Sequence, residues 1–517
     1  MTYENAWKGF KQTLSSVCKP IQRYPVIARW RDDIEFTAAG IYCFQPHCVI
    51  GEVEPPANPL ICPQFCVRFN DLDNIGITGR HYSGFIMLGI QAFNTPQTTY
   101  LSPEDCIELN YTWLRDELKI EPSEITFIED VWAGGGNLGP SIEYFVKGLE
   151  IGNMVFIKYK LGDNNELINL PIKVIDVGIG LERIPWLMNG YVNSYKNTFG
   201  LAYEFLSDKF NIKEDQALVK QFAKYSCRLN VDEEDNINKQ WEQIANKLNR
   251  TQEEIKKNIS PIKDMCICLD HTKTLLMAVE DGLLPSNLGG GGNLRSALRR
   301  VFSILHQNGW WDSIKLEGLE EIFNLHRSQL RSICGSFDNN SSLNKIVEIE
   351  YNRWLSTKEQ HNKQIAKLQH KAKLSASDWV IAVSSWGIPP ERITQVTGQV
   401  APANLYQLIS ESKNDKKPAK HILKANLDLP ETQALFYEDS ELSAFTGTVL
   451  DVIQDKNKAF VILDKTVFYP LSGGQESDIG YIEIDNKQYN VIECVRSGKW
   501  IYHSIEPSPI HNLKVPL

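Results

Sequence analysis

The stretch from Cys62 to Asn94 constrains the fold of this chain more than any other. It opens with a short apolar run that carries Arg68, passes through a loop rich in Asn, Asp and Gly, and returns after Arg80 and His81 through a second apolar run. Two β-prone runs around such a loop predict an antiparallel hairpin. Its cations would lie over one face, and a polyphosphate is a ligand that suits such a face.

Composition narrows the class of protein. A chain of 517 residues, 42% hydrophobic and 23% charged, predicts about three or four globular domains. A net charge of −10 argues against indiscriminate binding to DNA or anionic membranes, so any RNA contact must come from a local patch. Signal-peptide and membrane-span patterns are missing, and the cysteines show no CxxC spacing. We therefore expect a cytoplasmic protein without a zinc site.

The first half of the chain alternates β-prone runs with turns. Ser102-Pro103 followed by two acids predicts a helix from Ser102 to about Leu118. A strand at 125–132 ends in AGGGNLGP, which lacks the Gly-Lys-Ser/Thr end of a phosphate-binding P-loop. We interpret these glycines as residues that allow close backbone approach.

Arg183 stands where an arginine is electrostatically unfavourable. A β run ends at Asp176, a Gly-x-Gly turn follows, and Arg183 begins the next helix. The positive end of the helix dipole disfavours a cation by ~0.3–1 kcal/mol, so a bound anion is one explanation. A structural ion pair with Glu182 or Glu143 is the other.

From about residue 195 to 430 the pattern becomes mainly helical. Asp270-His271-Thr272-Lys273 is predicted to begin one helix, and a glycine loop leads into another that carries Arg295, Arg299 and Arg300. Arg295 and Arg299 are four residues apart and share a face. That face is either an RNA contact or a solvated helix surface.

The last part of the chain is predicted to be all β. A charged linker is expected at 413–424, and from about residue 433 short β-prone runs recur every ten or so residues. This spacing favours a small β-barrel.

Eight motifs occur in the order found in alanyl-tRNA synthetases, and the chain is most similar to the archaeal type. They are RYPVIARWRDD, PPANPL, CVRFNDLDNIG with TGRH, VWAGGGNLGP, DVGIGLER, DHTKT, LPSN with GGG and NLR, and FYPLSGGQ with DIG. The hairpin resembles motif 2 of class II synthetases, and the GLER segment resembles motif 3.

The resemblance implies an α+β fold in three domains. A class II antiparallel sheet with flanking helices would form the adenylate-forming aminoacylation domain at 1–194. A mainly α-helical tRNA-recognition domain would follow at 195–430. A β-barrel similar to the first part of the family's editing domain would occupy 431–517.

The resemblance also implies an alanine–tRNA ligase whose substrates are alanine, ATP with Mg²⁺, and tRNA-Ala. Arg68 would hold the α-phosphate and Arg183 the γ-phosphate, both as catalytic residues, and Asp176 would bind the α-amino group of alanine. The remaining ATP-binding residues would be Arg80, His81, Met87 and Glu143, with Glu143 also a candidate magnesium ligand. The tRNA-binding residues would be Asn287, Arg295, Arg299, Arg300 and Ser384.

Two substitutions depart from the family pattern. Ile86 stands where the family has the glutamate of Phe-Glu-Met, and we expect altered ATP affinity or adenine selection from this loss of a carboxylate near the nucleotide. Ser384 stands where an aspartate, together with the asparagine matched by Asn287, reads the G·U wobble pair of the acceptor stem. Losing a specific acceptor costs ~1–3 kcal/mol of discrimination.

Two further departures concern the ends of the chain. It ends at Leu517, and none of its ten histidines has His-x-x-x-His spacing. By the resemblance we expect no editing in cis and, without a C-terminal dimerising region, a monomer. The chain also begins close to the RYP segment, without the longer N-terminal extension of archaeal members.

These departures keep two alternatives open. In the first, the chain makes alanyl-adenylate but passes the alanyl group to an acceptor other than tRNA. In the second, it is a non-catalytic paralogue that only binds RNA.

Overall fold

A computed structural model of the chain describes residues 1–506 except positions 32, 163–165, 232–235, 338–340, 370, 410–428, 438, 440, 456–457, 471–476 and 498. The predicted linker at 413–424 and part of the FYPLSGGQ motif lie outside the described residues. Within those limits the chain forms two units. The first comprises Met1–Ala28, Phe36–Asn287 and Gly292–Ser412, and the second Arg29–Glu35, Leu288–Gly291 and Lys413–Leu517. The predicted domains 1–194 and 195–430 both contribute to the first unit, so the three-domain division stays a prediction.

A seven-stranded sheet lies at the centre of the first unit. Its strands are β1 Lys19–Pro20, β2 Leu60–Val67, β3 Gly84–Asn94, β4 Ile125–Gly134, β5 Asn137–Val146, β6 Leu149–Leu161 and β7 Leu167–Gly180. They lie in the order β1-β2-β3-β7-β6-β5-β4, and only β1 and β2 pair in parallel. The predicted antiparallel sheet is confirmed. So is the hairpin, in which Val67 lies opposite Gly84 and Leu60 opposite Gln91.

The glycines of AGGGNLGP serve backbone geometry, as predicted. Gly135 and Gly136 join β4 to β5 with φ of 56° and 79°, a left-handed conformation that glycine adopts without a steric penalty. Within β5, a Cβ on Gly139 would lie only 2.0 Å from the Phe156 carbonyl oxygen on β6. Gly139, the fourth glycine of this segment, is therefore required by close strand packing.

The helices flank the sheet and then dominate the rest of the first unit. They are α1 Tyr3–Leu14, α2 His47–Ile50, α3 Pro103–Thr112, α4 Arg183–Asn189, α5 Tyr195–Phe199, α6 Leu201–Lys209, α7 Gln216–Ala223, α8 Ile237–Leu248, α9 Gln252–Glu280, α10 Gly289–Gln307, α11 Trp311–Cys334, α12 Ser341–Gln369, α13 Ala376–Val380 and α14 Pro390–Thr397. The predicted cap of α3 is confirmed, because the Ser102 side chain accepts from the Asp105 N–H at 3.0 Å. That helix continues as a π-helical turn at Trp113–Glu117.

Helix α9 corrects one prediction. Asp270 does not begin a helix, because α9 starts at Gln252 with a capping box between Thr251 and Glu254. The DHTK segment lies inside α9, where all four residues are buried. Its polar side chains imitate a helix start in the sequence, but they bond to other elements of the core. None of the described helices combines the length and apolar composition needed to cross a membrane.

The second unit is rich in strands, as predicted. Its strands are β8 Gln433–Ala434, β9 Val449–Asp455, β10 Lys458–Leu463, β11 Lys465–Thr466, β12 Gly480–Ile484, β13 Lys487–Ser497 and β14 Trp500–Glu506. Five of them form an antiparallel sheet in the order β12-β13-β14-β10-β9, and β8 pairs in parallel with β11.

Candidate active site

Arg68 follows β2 directly and is held from three sides. Its backbone N–H donates to Ser83 O at 2.9 Å, and its Nε donates to Ala38 O at 2.9 Å. Its guanidinium lies 4.9 Å from the centre of the Phe85 ring on β3. In the part of the chain that the structure describes, its terminal nitrogens make no hydrogen bond. The side chain therefore presents a fixed pair of donors, the geometry that binds a phosphate or carboxylate.

Arg183 is the first residue of α4 and forms an ion pair. Its Nη1 donates to Glu150 O at 2.8 Å and lies 3.0 Å from Glu150 Oε2. The partner is thus Glu150, and not Glu182 or Glu143 as the sequence suggested; Glu182 is buried and accepts from the Ile86 N–H and the Tyr3 hydroxyl instead. The two side chains are 39% and 34% exposed, and a pair so open to water contributes only ~0–1 kcal/mol. A strong anion can therefore replace Glu150.

His81 lies beside charged neighbours that lower the pKa of its ring. Its Nδ1 lies 2.7 Å from Thr78 Oγ1. Burial, and then the charges of Arg80 and Arg183, lower the pKa of His81 to about 4. The ring is therefore a neutral hydrogen-bonding group at pH 7, and the charges of both Arg80 and Arg183 act on it.

Asp176 is a buried carboxylate on β7. It lies opposite Gln91 of β3, whose Nε2 donates to Asp176 Oδ1 at 2.8 Å. Burial raises the pKa of the Asp176 carboxyl to about 6, and the Gln91 donor opposes that rise. Gln91 Oε1 is buried and has no partner among the described residues. A buried amide oxygen without a partner therefore belongs to the same side chain that holds the Asp176 carboxylate.

The space next to Asp176 is small. A Cβ on Gly178 would lie 3.1 Å from Met87 Sδ and 3.5 Å from Asn153 Oδ1. Met87 is held there by the Gly40 N–H, 3.4 Å from its sulfur. The sequence analysis assigned Met87 to the ATP site and did not identify Asn153 or Gln91. The sequence does contain a signal for both residues, because Gln91 and Asn153 are amide side chains within otherwise apolar β-prone runs.

The Glu143 carboxyl is influenced by both acidic and basic neighbours. Burial, then the charges of Glu150 and Asp130, raise the pKa of the Glu143 carboxyl, and Arg183 opposes this. Within the described ranges, no three His, Cys, Asp or Glu side chains form a ready metal-binding group. A Mg²⁺ ion held mainly by substrate phosphates needs only one or two carboxylates, and Glu143 fits that requirement.

Ile86 lies on the other face of β3, which corrects the expectation drawn from it. Successive side chains of a strand point to opposite faces. Phe85 and Met87 are half-buried on the face of the arginines, whereas Ile86 is fully buried in the main hydrophobic cluster. A side chain at this position faces the core, so its replacement does not remove a carboxylate from the nucleotide. The nearest acid is Glu182, which accepts from the Ile86 N–H at 2.9 Å.

The predicted RNA-binding residues are divided between surface and interior. Arg295 forms two 2.8 Å bonds to Glu350 and donates to Asn287 Oδ1, so these residues form one fixed group. Arg300 is buried, with its guanidinium 4.6 Å from the Tyr406 ring centre, and so faces away from any RNA on the surface.

Arg299 connects this group to the segment of Ser384. A Cβ on Gly387 would lie 2.5 Å from Arg299 Nη1. Arg299 Nε is buried without a partner among the described residues, and burial lowers the pKa of this guanidinium. Ser384 is exposed on a π-helical turn, where its Oγ donates to Val380 O at 2.6 Å. A cavity of about 140 Å³ also opens in this helical part, lined by Ser303, His306, Gln307, Trp354, His361, Pro389, Arg392 and Gln395.

Comparisons with known proteins agree with this geometry. The family model for class II (A) tRNA synthetases matches residues 16–514. The alanine–tRNA ligase of Methanocella arvoryzae is 39% identical over 518 residues, covering 99% of this chain and 58% of that protein. The corresponding protein of Nitrosopumilus maritimus is 35% identical, covering 98% of this chain and 55% of its own length. The chain thus spans little more than half the length of these relatives.

A solved structure of pyrrolysyl-tRNA synthetase from Desulfitobacterium hafniense also aligns with part of the chain. It covers 38% of this chain and 72% of its own, with a TM-score of 0.27 and 14% identity. A superposition this weak carries no argument.

Proposed function

Because the chain belongs to the class II (A) tRNA synthetase family, we propose that it activates alanine with ATP and transfers the alanyl group to the 3′ end of tRNA-Ala. One observation carries this proposal: Arg68 directly follows β2, the buried Asp176 lies on β7, and Arg183 begins the helix that follows β7. Cross-strand pairing of β2, β3 and β7 sets their spacing. Two phosphate-binding cations beside an ammonium-binding carboxylate suit amino-acid activation.

In the first step an alanine carboxylate oxygen attacks the α-phosphorus of ATP, and pyrophosphate leaves. We propose that Arg68 binds the α-phosphate and offsets the charge that develops on it. Arg183 leaves Glu150 and binds the γ-phosphate, while Arg80, neutral His81 and Met87 flank the nucleotide. The step needs little acid–base catalysis, so fixed positive charge is the main contribution of the protein.

Asp176 is proposed to bind the α-ammonium of alanine. Gln91 holds that carboxylate and offers Oε1 as a second acceptor, while Asn153 and Met87 limit the space beyond Gly178. A pocket this small favours a short side chain, although one methylene changes binding by only ~1–3 kcal/mol.

Magnesium, when bound with ATP, neutralises phosphate charge. Glu143 is the residue we propose to contact it, because the negative charges of Glu150 and Asp130 act on its carboxyl and a divalent cation would offset their repulsion.

Transfer to tRNA is proposed to use the helical part of the first unit. Asn287, held by Arg295, and Arg299 would contact the acceptor stem, with Ser384 beside them on its π-helical turn. Buried Arg300 would instead support this surface from within. Arg299→Ala should lower tRNA charging more than ATP–pyrophosphate exchange, and Arg331→Ala on an exposed site of α11 is the matched control.

Two assays on the purified chain test the proposal. Alanine-dependent ATP–pyrophosphate exchange tests activation. If none of the amino acids supports exchange, the activation step is refuted and the RNA-binding paralogue is favoured. Charging of a tRNA-Ala transcript tests the acceptor. Strong exchange without charging would favour a different acceptor, the alternative that Ser384 supports by lacking the aspartate of the family.

We also propose that this chain by itself does not proofread, because its sequence holds no His-x-x-x-His pair. The chain should therefore hydrolyse seryl-tRNA-Ala no faster than the ester hydrolyses without protein. The monomeric state remains a prediction, to be measured by light scattering.

A further inference from the structure

Lys273 is an unusual residue of α9. It is fully buried, and fully buried lysines are rare unless paired. Its Nζ lies 3.7 Å from Glu182 Oε1 and makes no hydrogen bond among the described residues. Burial lowers the pKa of this lysine, while Glu182 opposes the shift.

Three aromatic rings surround the ammonium of Lys273. Their centres lie 5.7 Å away for Phe65, 5.3 Å for Tyr82 and 5.6 Å for Phe199. Rings within about 6 Å attract a cation through their electron-rich faces. Phe65 belongs to β2, and Tyr82 lies two residues before β3, so the lysine is held by both arms of the hairpin that carries Arg68.

Glu182 links Lys273 to the start of α4. It is buried and accepts from the Ile86 N–H at 2.9 Å and from the Tyr3 hydroxyl. Its neighbour Leu181 donates its backbone N–H to Ile86 O at 2.9 Å. Because Arg183 is the next residue, the position of Glu182 determines where that arginine begins the helix.

Asp270 reinforces the same contact. It lies three residues before Lys273, on the same face of α9. It accepts from the Ser83 N–H at 2.9 Å and from the Ser83 hydroxyl. Ser83 in turn accepts from the Arg68 N–H, so α9 contacts the backbone beside each of the two proposed phosphate-binding arginines.

We propose that Lys273 is a positioning residue for ATP. By balancing the charge of Glu182 it keeps Arg183 and the returning strand of the hairpin in the geometry that binds the polyphosphate. The proposal rests on the ATP-binding role given above to Arg183. It assigns the DHTKT motif a role in the activation step, although the motif lies in the helical part of the chain.

The physical reason is the cost of an isolated buried charge. Removing one partner of a buried ion pair leaves the other uncompensated, and the structure rearranges to relieve it. With Lys273 gone, the Glu182 carboxylate would move toward water. Arg183 would move with it, because the two residues are adjacent, and the bonds of Ile86 would weaken.

The experiment compares Lys273→Met, similar in length but uncharged, with Lys257→Met on an exposed part of the same helix. We expect Lys273→Met to raise the KM for ATP in pyrophosphate exchange at least ~10-fold, the effect of misplacing one charged hydrogen bond. The KM for alanine should change less than ~3-fold, because Asp176 is not displaced. Lys273→Arg should recover most of the ATP affinity, and Lys257→Met should match the unmodified chain.

Hydrogen–deuterium exchange of the same variants provides a measurement independent of activity. Lys273→Met should raise exchange at Ile86 and across 181–189 while leaving the β4–β5 hairpin protected. Unchanged exchange at those sites together with an unchanged KM for ATP would overturn the proposal. A general rise in exchange with equal effects on both KM values would also overturn it, since that indicates only lost stability. If the unmodified chain shows no activity, the proposed function fails, and the exchange pattern still decides whether Lys273 positions Arg183.

Discussion

Arg68→Lys tests whether phosphate binding depends on a fixed guanidinium or only on a positive charge. In the folded chain Arg68 Nε donates to Ala38 O at 2.9 Å, and the guanidinium lies 4.9 Å from the Phe85 ring centre. A lysine ammonium cannot keep these contacts and also offer two donors to one phosphate.

The structure sets the size of the expected effect. A hydrogen bond to a charged group is worth ~1.5–3 kcal/mol, and a partly exposed cation–π contact ~0.5–1 kcal/mol. Their sum, about 2–4 kcal/mol, corresponds to a loss of ~30- to 1,000-fold in kcat/KM for ATP. The contacts with Ala38 and Phe85 also exist in the free chain, so a separate measurement of stability is needed to distinguish lost activation from lost folding energy.

Alanine-dependent ATP–pyrophosphate exchange measures this loss, and circular dichroism melting verifies folding. Arg115→Lys is the matched control, because its guanidinium pairs with Asp116 at 2.7 Å on the surface and should be dispensable. Exchange by Arg68→Lys within ~3-fold of the unmodified chain would refute the reasoning, since it would show that charge alone suffices.

Three further predictions follow from individual contacts. The Asp176 carboxyl, with its pKa raised to about 6, must be ionised to bind an ammonium, so the KM for alanine should rise as pH falls through about 6. Gln91→Leu removes a donor that lowers this pKa, so the rise in KM should occur at higher pH in that variant. A KM for alanine that stays constant from about pH 5 to 8 would contradict both statements. Ile86→Val should cost ~0.5–1.5 kcal/mol of stability in urea unfolding and leave the KM for ATP unchanged, because the side chain faces the core. A changed KM for ATP with unchanged stability would show instead that Ile86 contributes to the nucleotide site. Gly387→Ala, at φ 66° and close to Arg299, should reduce tRNA charging while exchange persists, and full charging would remove this segment from the proposed RNA contact.

The sequence predicted local structure correctly where residues close together in the chain determine it. The Ser102 cap and the paired glycines at 135 and 136 each depend on residues a few positions apart, and the β2–β3 hairpin depends on two apolar runs joined by one turn-rich loop. Motif order also identified Arg68, Arg183 and Asp176 as candidates. In contrast, DHTK was read as a helix start, because an acid followed by polar residues resembles a cap whether or not the preceding chain is helical.

Only the tertiary structure decided which face and which partner each side chain has. Strand alternation directs Ile86 to one face of β3 and Phe85 and Met87 to the other. Packing against the core decides that the face of Ile86 is the buried one. Likewise Arg183 pairs with Glu150, thirty-three positions away, and Lys273 with Glu182, ninety-one positions away. Sequence spacing carries no information about such pairs, since folding the sheet against α9 is what brings them together. The sequence by itself therefore determined the class of protein and its candidate ligands, and the fold decided how the charges of the site are held.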